Sequence, residues 1–506
     1  MNSKRKWPHL LAISLATVLI LAVFSFPRLK PVLHDAVPYT YDQGRDFYKA
    51  AEIVTKKDLT FIGPTTGIDG LFHGAWWYYY LTIPFIFFGG SPSGFYYANF
   101  LLHLASLGGL VLVLYRFVNK WVALTVSAII AVSPYFISTS IFVGNNIMVL
   151  PSLLLFLITH FFLFEKYPKK ILSQIGIFTS LGFSLGMIAE FEFAFGLMLI
   201  PIYFLLSLAL PYLRKKLYKR LNILSFLCAL FIAFLPRFLF ELKNNFSQTR
   251  TLLSFIFEPK YFNPKSFYDI FDDRLNMIAD FYKTIFPNDF SLAVITLIVC
   301  VALIIALIKK QLHFASTIIF YVSMVLGLFS VSLMYRDNFW ANYYEGFPYI
   351  YIMIIALVLY GGIKLEKNYR VINIALAVCF ILFGVVSIAQ DFRKPVQQGG
   401  LQAMKAAVDY IHSQELNEKF CVKIYTPPVI PHTYNYLFFY HSYKNKETIP
   451  ETDWVNGKCW IILEKDDYAE RKQKWIDDNI PKASTVAQSS LIWDIEVKNV
   501  VLNIKK

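Results

Sequence analysis

Long apolar runs separated by short polar or basic stretches dominate the chain, at about 8–26, 95–117, 121–139, 147–164, 171–189, 193–213, 220–238, 290–308, 312–333, 345–362 and 370–389. Each is close to the ~20 residues that a helix needs to cross a bilayer, so the pattern predicts about eleven spans. A further apolar piece, WWYYYLTIPFIFFGG at 76–90, is short and ends in Gly89 and Gly90. Its Trp and Tyr belong at headgroup depth, and it reads as a helix lying in the interface. The pattern changes after residue 390. LQAMKAAVDYIHSQ and DDYAERKQKWIDDNI carry helical periodicity, whereas FCVKIYT, KCWIILE and IWDIEVKNVVL read as strands. The expected architecture is an all-α polytopic membrane domain over 1–390, with a small α/β domain over 391–506 and neither an internal repeat nor a low-complexity linker.

Charge adds an orientation. If 76–90 does not cross, every tight basic cluster falls on one side: Lys4, Arg5 and Lys6; Arg116 and Lys120; Lys166, Lys169 and Lys170; Arg214, Lys215, Lys216, Lys219 and Arg220; Lys309 and Lys310; Lys364, Lys367 and Arg370. The opposite turns, GNN at 144–146 and EFE at 190–192, carry no Lys or Arg. The positive-inside rule then predicts a cytoplasmic N-terminus in the cell membrane, with 27–94, 239–289 and the tail extracytoplasmic. The same rule accounts for the net charge of +14 without nucleic acid, because the basic residues form short runs between spans rather than one face. A composition 56% hydrophobic and only 16% charged excludes an ordinary soluble protein. The N-terminus has the basic and apolar parts of a signal peptide but no small-x-small cleavage site, so an uncleaved first span is expected. Of five cysteines, Cys228, Cys300 and Cys379 lie in spans; Cys421 and Cys459 are the two that can pair, and their spacing does not decide whether they do.

Ionisable residues near a membrane mark functional sites by default. The first extracytoplasmic loop holds YDQGRD, with Asp42, Arg45 and Asp46, and then Asp69 and His73 in GIDGLFHGAWWYYYL. On a helix Asp42 and Asp46 share a face beside Arg45. Such a carboxylate suits a general base for an acceptor hydroxyl, and it equally suits a solvated ion pair. His73 fits phosphate or metal binding, or a headgroup-level hydrogen bond. Glu190 and Glu192 are costly at bilayer depth unless they face a polar cavity or cap a wet turn. Asn145 and Asn146 line the same cavity or cap the next span. Arg237, Glu241, Lys243 and Arg250 follow a span on the outer side; Lys243 there, like Arg336, fits a phosphate or ordinary snorkelling, and Tyr343 and Tyr344 share the ambiguity. No Walker A loop, dinucleotide fingerprint, zinc-ligand run or G-x-S-x-G elbow is present, which leaves nucleotide-dependent chemistry unsupported.

In order along the chain, YDQGRD, GPTTGIDGLFHGAWWYYYL, SIFVGNN, GMIAEFEFAFG, PRFLFELKNNF and YYEGFPY resemble the membrane-embedded GT-C glycosyltransferases. The resemblance is to the protein O-mannosyltransferase-like group, which includes glycosyltransferase family 39 and the lipid A aminoarabinose transferases, and it covers most of 40–350. It implies a GT-C-like fold and transfer of a sugar from a polyprenyl-phosphate donor to an acceptor hydroxyl of a protein, lipid or glycan. It places Asp42 as catalytic base with Asp46 as second candidate; Arg45, His73, Lys243 and Arg336 as cations for the phosphate; and Asp69, Asn145, Asn146, Glu190, Glu192, Glu241, Tyr343 and Tyr344 in the cavity. Some members use a divalent metal ion, for which no ligand set is evident in the sequence. This chain also has HGAW where many relatives carry HPP or HGP. Membrane lipids and the polyprenyl-phosphate sugar are the expected partners.

A transporter or lipid flippase is the competing reading. Transporters commonly carry internal repeats and broken helices around a midplane site, whereas here the ionisable residues gather at one face. A noncatalytic membrane anchor for the tail does not call for acidic residues in several outer loops.

Overall fold

The computed structural model describes residues 6–258, 263–310, 312–394, 399–415 and 419–503; Lys4 and Arg5 of the first basic cluster lie outside the described residues. Among the described residues nine helices are long and apolar enough to cross a membrane: Leu15–Leu33, Pro92–Val118, Asn146–Glu165, Ile171–Phe191, Arg220–Lys243, Asp289–Ile308, Ala315–Ser332, Ala341–Leu365 and Asn368–Phe392. A tenth candidate, Phe193–Ala209 with Pro211–Leu217, bends by 100° at its break. The chain is a multi-pass membrane protein.

The expected span at 121–139 is a shorter helix, Lys120–Val132, followed by a single turn, Pro134–Ser138. The break has a local cause. Ser133 precedes Pro134 and is held extended at ψ 125°, as the proline ring requires of its neighbour. The carbonyls freed at the helix end accept hydrogen bonds from Arg28 of the first span, Ile130 O and Ala131 O each at 3.1 Å.

Between the first two long spans the chain forms the helix Tyr41–Lys56, a small antiparallel hairpin (β1, Ile62–Thr65; β2, Phe72–Gly74) and the aromatic helix Trp76–Phe87. The helix Tyr41–Lys56, called the site helix below, starts in a capping box, in which Gln43 Oε1 accepts from Thr40 N at 2.8 Å. Phe47, Ala50, Ala51 and Ile53 on its inner face are buried. Phe47 stacks on Phe95 with ring centroids 3.8 Å apart and meets Tyr436 edge-on at 5.5 Å.

The C-terminal α/β region holds a four-stranded sheet in the order β3 (Val422–Tyr425), β4 (Lys458–Leu463), β6 (Ile495–Leu502), β5 (Ser484–Ile492). β3 and β4 are parallel and the other pairings antiparallel. Cys421 and Cys459 form a disulfide with Cα atoms 4.5 Å apart. The helices Leu401–Gln414 and Ala469–Asn479 fall where periodicity places them; the helix His432–Asn445, called the tail helix, was not anticipated.

The tail helix docks on the site helix. Gly44 makes the approach achievable, since a Cβ there would lie 2.4 Å from the His432 carbonyl carbon and oxygen. Tyr39 OH donates to Thr433 O at 3.2 Å, and Tyr436 OH donates to Gly90 O at 2.6 Å. Leu401, Ala407, Tyr434 and Leu437 therefore share one apolar core with the membrane region, and a second small cluster around Cys421, Tyr425, Ile461 and Val500 covers the other face of the sheet.

Candidate active site

A cavity of about 1050 Å³ opens where the loops of the helical bundle meet. Its wall is drawn from the site helix (Asp42, Arg45, Asp46), the hairpin (Pro64 to Ile68, His73), the 142–146 turn, the break at Glu192, and the 331–343 segment. Leu197, Met198, Phe255, Ile256 and Val331 supply its apolar side.

Arg45 is the one Lys or Arg among the described residues lining this cavity. Its Nη1 lies 2.8 Å from Asp42 Oδ1 and its Nε 2.8 Å from Asp46 Oδ1. The two carboxylates differ in surroundings. Asp42 has a side chain 50% exposed, facing the cavity from the first turn of the helix. Asp46 is buried, with its second oxygen accepting from Trp77 Nε1 at 2.7 Å. Burial pushes the Asp46 carboxyl up to about 6, against the opposing pull of Arg45 and the Trp77 hydrogen bond.

His73 lies on β2, where Phe193 N donates to its Nδ1 at 3.3 Å. Burial, with Arg237 and Arg45 nearby, pushes its imidazole down to about 3, so the ring is neutral at ordinary pH. Glu192 lines the cavity at the break between two apolar helices. Asn145 Nδ2 donates to Phe191 O at 2.8 Å, and Asn146 Nδ2 donates to Glu345 Oε2 at 3.3 Å, so both asparagines fix the wall rather than cap the following helix. Tyr343 also lines the cavity, edge-on to Phe339 at 5.0 Å.

The remaining candidates lie off the lining. Glu190 is buried behind the hairpin, where its Oε1 accepts from Arg237 Nε at 2.6 Å. Arg237 Nη1 in turn donates to Phe72 O at 2.9 Å and Gln248 Oε1 at 3.0 Å. Gly74 lets the carboxylate this close: a Cβ there would sit 1.9 Å from Glu190 Oε2. Glu241 caps the helix Ser247–Phe257, accepting from Gln248 N at 3.0 Å and Thr249 N at 2.9 Å. Tyr344 is buried and bonded to Ser332. Asp69, Lys243 and Arg336 are exposed and do not line the cavity.

Sequence reasoning missed Trp77 and Glu345. Glu345 is buried and accepts from Tyr135 OH at 2.9 Å as well as from Asn146, which ties the 142–146 turn to the start of the helix Phe347–Leu365. Its signal was present in YYEGFP, an acidic residue entering an apolar run.

Among the described residues the only group of three His, Cys, Asp or Glu ligands close enough to hold a metal ion is His412, His441 and Glu447, none of which lines the cavity. Four carboxylates line the cavity among the described residues, Asp42, Asp46, Glu192 and Asp337, and the first two converge on Arg45. The donor set of the cavity does not fit a protein-held metal.

No protein-family model and no curated protein matches the chain. Two solved structures of ArnT from Cupriavidus metallidurans do, one bound to undecaprenyl phosphate and one in the apo state. Each is 12% identical with a TM-score of 0.57; the first alignment covers 97% of this chain and 97% of that one, the second 98% and 98%. The chain shares its fold with ArnT. This is the fold expected from the resemblance to aminoarabinose transferases, and coverage of both ArnT chains from end to end takes in the tail sheet as well as the bundle.

Proposed function

We propose that this protein is an integral-membrane glycosyltransferase of the cytoplasmic membrane, which moves a sugar from a polyprenyl-phosphate donor to an acceptor hydroxyl. The observation that carries the reading is the pairing of a half-exposed carboxylate, Asp42, with Arg45, the one Lys or Arg lining the cavity among the described residues, at 2.8 Å in a cavity with one apolar side. The ArnT fold supports it, since one of the ArnT structures holds undecaprenyl phosphate.

In this mechanism Asp42 accepts the proton of the acceptor hydroxyl as its oxygen attacks the anomeric carbon. The bond between that carbon and the phosphate oxygen breaks, and the electron pair leaves with polyprenyl phosphate. Arg45 stabilises the growing phosphate charge, a task suited to a planar guanidinium already aimed by two carboxylates. Asp46, closed off by Arg45 and Trp77, positions Arg45. The neutral His73 serves the phosphate as a hydrogen-bonding group rather than as a charge. The apolar wall of Leu197, Met198, Phe255, Ile256 and Val331 takes the first isoprene units. The extracytoplasmic orientation inferred from the basic clusters places this chemistry on the outer face.

Purified protein incubated with radiolabelled polyprenyl-phosphate sugars and an envelope extract is expected to release polyprenyl phosphate. Asp42→Asn is expected to lower that release about 10²–10⁴-fold. Consumption of no donor, together with movement of lipid or solute in vesicles, replaces the transferase with a transporter.

A further inference from the structure

Glu192 interrupts the apolar run GMIAEFEFAFG, between the helix Ile171–Phe191 and the helix Phe193–Ala209. The backbone of this break is pinned. Glu192 N donates to Ile188 O and Gly196 N donates to Glu192 O, each at 3.0 Å, so the interruption is a single residue. Phe193 N donates to His73 Nδ1 at 3.3 Å, and Phe191 O accepts from Asn145 Nδ2 at 2.8 Å, which fastens the break to the hairpin and to the 142–146 turn. Gly196 lets the two helices close on each other, since a Cβ there would lie 2.2 Å from Ala189 Cα.

The side chain that this framework carries has no counter-ion. Asp42 and Asp46 share Arg45, and Glu190 pairs with Arg237. Glu345 accepts from Tyr135 OH and Asn146 Nδ2. Among the described residues no Lys, Arg or His pairs with Glu192, which is 2% exposed, lines the cavity and is met by the backbone N–H of Ala194. Burial pushes its carboxyl up to about 8, against the Ala194 hydrogen bond and with the nearby Glu345 adding to the shift, so the group is protonated at neutral pH.

A neutral carboxyl offers an O–H donor and an acceptor oxygen, the complement of a hydroxyl group, and it puts no negative charge beside a phosphate. Tyr343 stands on the same wall. It lines the cavity within the field of the Glu192 carboxyl, and its OH reaches the hairpin, where a Cβ on Gly67 would lie 3.1 Å from it. A buried carboxyl held in place by other loops and given no side-chain partner costs the fold stability, which is the signature of a group kept for a ligand. The cavity then divides by chemistry. Arg45 meets the phosphate and the apolar side meets the isoprene units, which leaves Glu192 for the hydroxyl-bearing part of the donor, its sugar.

We infer that Glu192 is a specificity-determining residue, whose carboxyl hydrogen-bonds a hydroxyl of the sugar carried by the donor lipid. The assignment rests on the transferase reading and deepens it: Asp42 and Arg45 act at the bonds that form and break, whereas Glu192 selects the sugar presented to them. A site built to hydrogen-bond a hydroxyl discriminates against an analogue that lacks it, because the site's own polar group is then left unpaired.

The test uses the full chain in detergent, with Kd for bare polyprenyl phosphate and for polyprenyl-phosphate hexoses and pentoses read by competition with radiolabelled polyprenyl phosphate. Glu192→Ala is expected to weaken the best-bound sugar lipid about 3–10-fold, the worth of one hydrogen bond, and to bind the bare lipid as the wild type does. Glu192→Gln keeps a donor and an acceptor, and is expected to hold the sugar lipid within about 2-fold of the wild type. One monodeoxy analogue of that sugar lipid is expected to bind the wild type and Glu192→Ala equally, which identifies the hydroxyl. Turnover of the full sugar lipid by Glu192→Ala is expected to show a raised KM and a kcat near that of the wild type. Equal sugar-lipid affinity in the wild type and Glu192→Ala overturns the proposal, and so does a parallel loss of bare and sugar-bearing lipid, which assigns Glu192 to the cavity's structure. A loss in Glu192→Gln together with a wild-type preference for an amino sugar also overturns it, in favour of a charged carboxylate. A wild type that binds neither lipid overturns the transferase reading and this assignment with it.

Discussion

Trp77 Nε1 donates to Asp46 Oδ2 at 2.7 Å, so the aromatic helix is tied to the site helix at a carboxylate that is 2% exposed. The bond links two residues of unequal visibility in the sequence. Asp46 stands in an acidic cluster, whereas Trp77 is one of five consecutive aromatics. It also makes the ionisation of Asp46 depend on the aromatic helix.

The first prediction concerns pH. With the Asp46 carboxyl at about 6, acid below that value protonates it and releases one of the two groups that aim Arg45. Transfer activity is expected to fall on the acid side with a limb near pH 6. Trp77→Phe removes a hydrogen bond that favours the charged form, so the limb is expected to move upward by about one pH unit. Asp46→Asn is expected to remove it. A limb that stays in place in both variants assigns it to another group. For stability the sign is opposite to that of a salt-bridged aspartate. The folded chain holds this proton above the ordinary aspartate value of 3.8, so the contribution of Asp46 to stability declines as pH rises from about 4 to about 6.

The second prediction concerns Glu190 and Arg237. Their ion pair, at 2.6 Å with the carboxylate fully buried, joins the helices Ile171–Phe191 and Arg220–Lys243 to the hairpin that carries His73. Removing one partner leaves the other charge buried and unmatched, at a cost of about 3–5 kcal/mol. Glu190→Gln and Arg237→Met are each expected to lower Tm in detergent. The double variant is expected to be less destabilised than the sum of the two, which a double-mutant cycle measures directly. Strict additivity would mean that the pair does not couple.

Much of this architecture was legible because membrane spans announce themselves by length and apolarity, as Arg220–Lys243 and Asn368–Phe392 do. The grouping of Asp42, Arg45 and Asp46 was legible as well, since i, i+3 and i+4 spacing on a helix fixes a shared face. Side-chain direction beyond a helix end was not legible. Lys243 and Arg336 occur in the loops expected to meet at the cavity, yet both are exposed off its lining. The tail helix was missed because HTYNYLFFYHSYKN scatters aromatic and polar residues around its circumference instead of sorting them by face. β5 was missed for a related reason, being a mostly exposed edge strand with little apolar alternation.

The third prediction concerns Glu345, which sequence reasoning passed over. It accepts from Tyr135 OH and Asn146 Nδ2, so it holds the 142–146 turn that forms one side of the cavity. Glu345→Ala takes the side-chain acceptor from the part-buried Asn146 amide and one of the two acceptors of Tyr135 OH, which keeps the residue 345 backbone carbonyl, at a cost of about 1–3 kcal/mol. A lower Tm and weaker donor binding are expected, while Glu345→Gln, which keeps an acceptor for Tyr135, is expected to retain most of both. Equal loss in Ala and Gln variants would point to the charge rather than the hydrogen bonds.

The fourth prediction concerns Gly44, where local and tertiary effects have opposite signs. Glycine inside a helix costs about 1 kcal/mol relative to alanine, so on the site helix alone Gly44→Ala stabilises. In the folded chain that methyl group would lie 2.4 Å from the His432 carbonyl, which is backbone and cannot rotate aside. Forcing the tail helix away is expected to cost about 1–3 kcal/mol, enough to reverse the sign. The variant is therefore expected to show a lower Tm and faster limited proteolysis before the tail helix. Transfer activity is expected to fall with them, because Asp42, Arg45 and Asp46 are carried on the helix that moves. A Gly44→Ala protein more stable than the wild type would show that the tail does not clamp the site helix at this point.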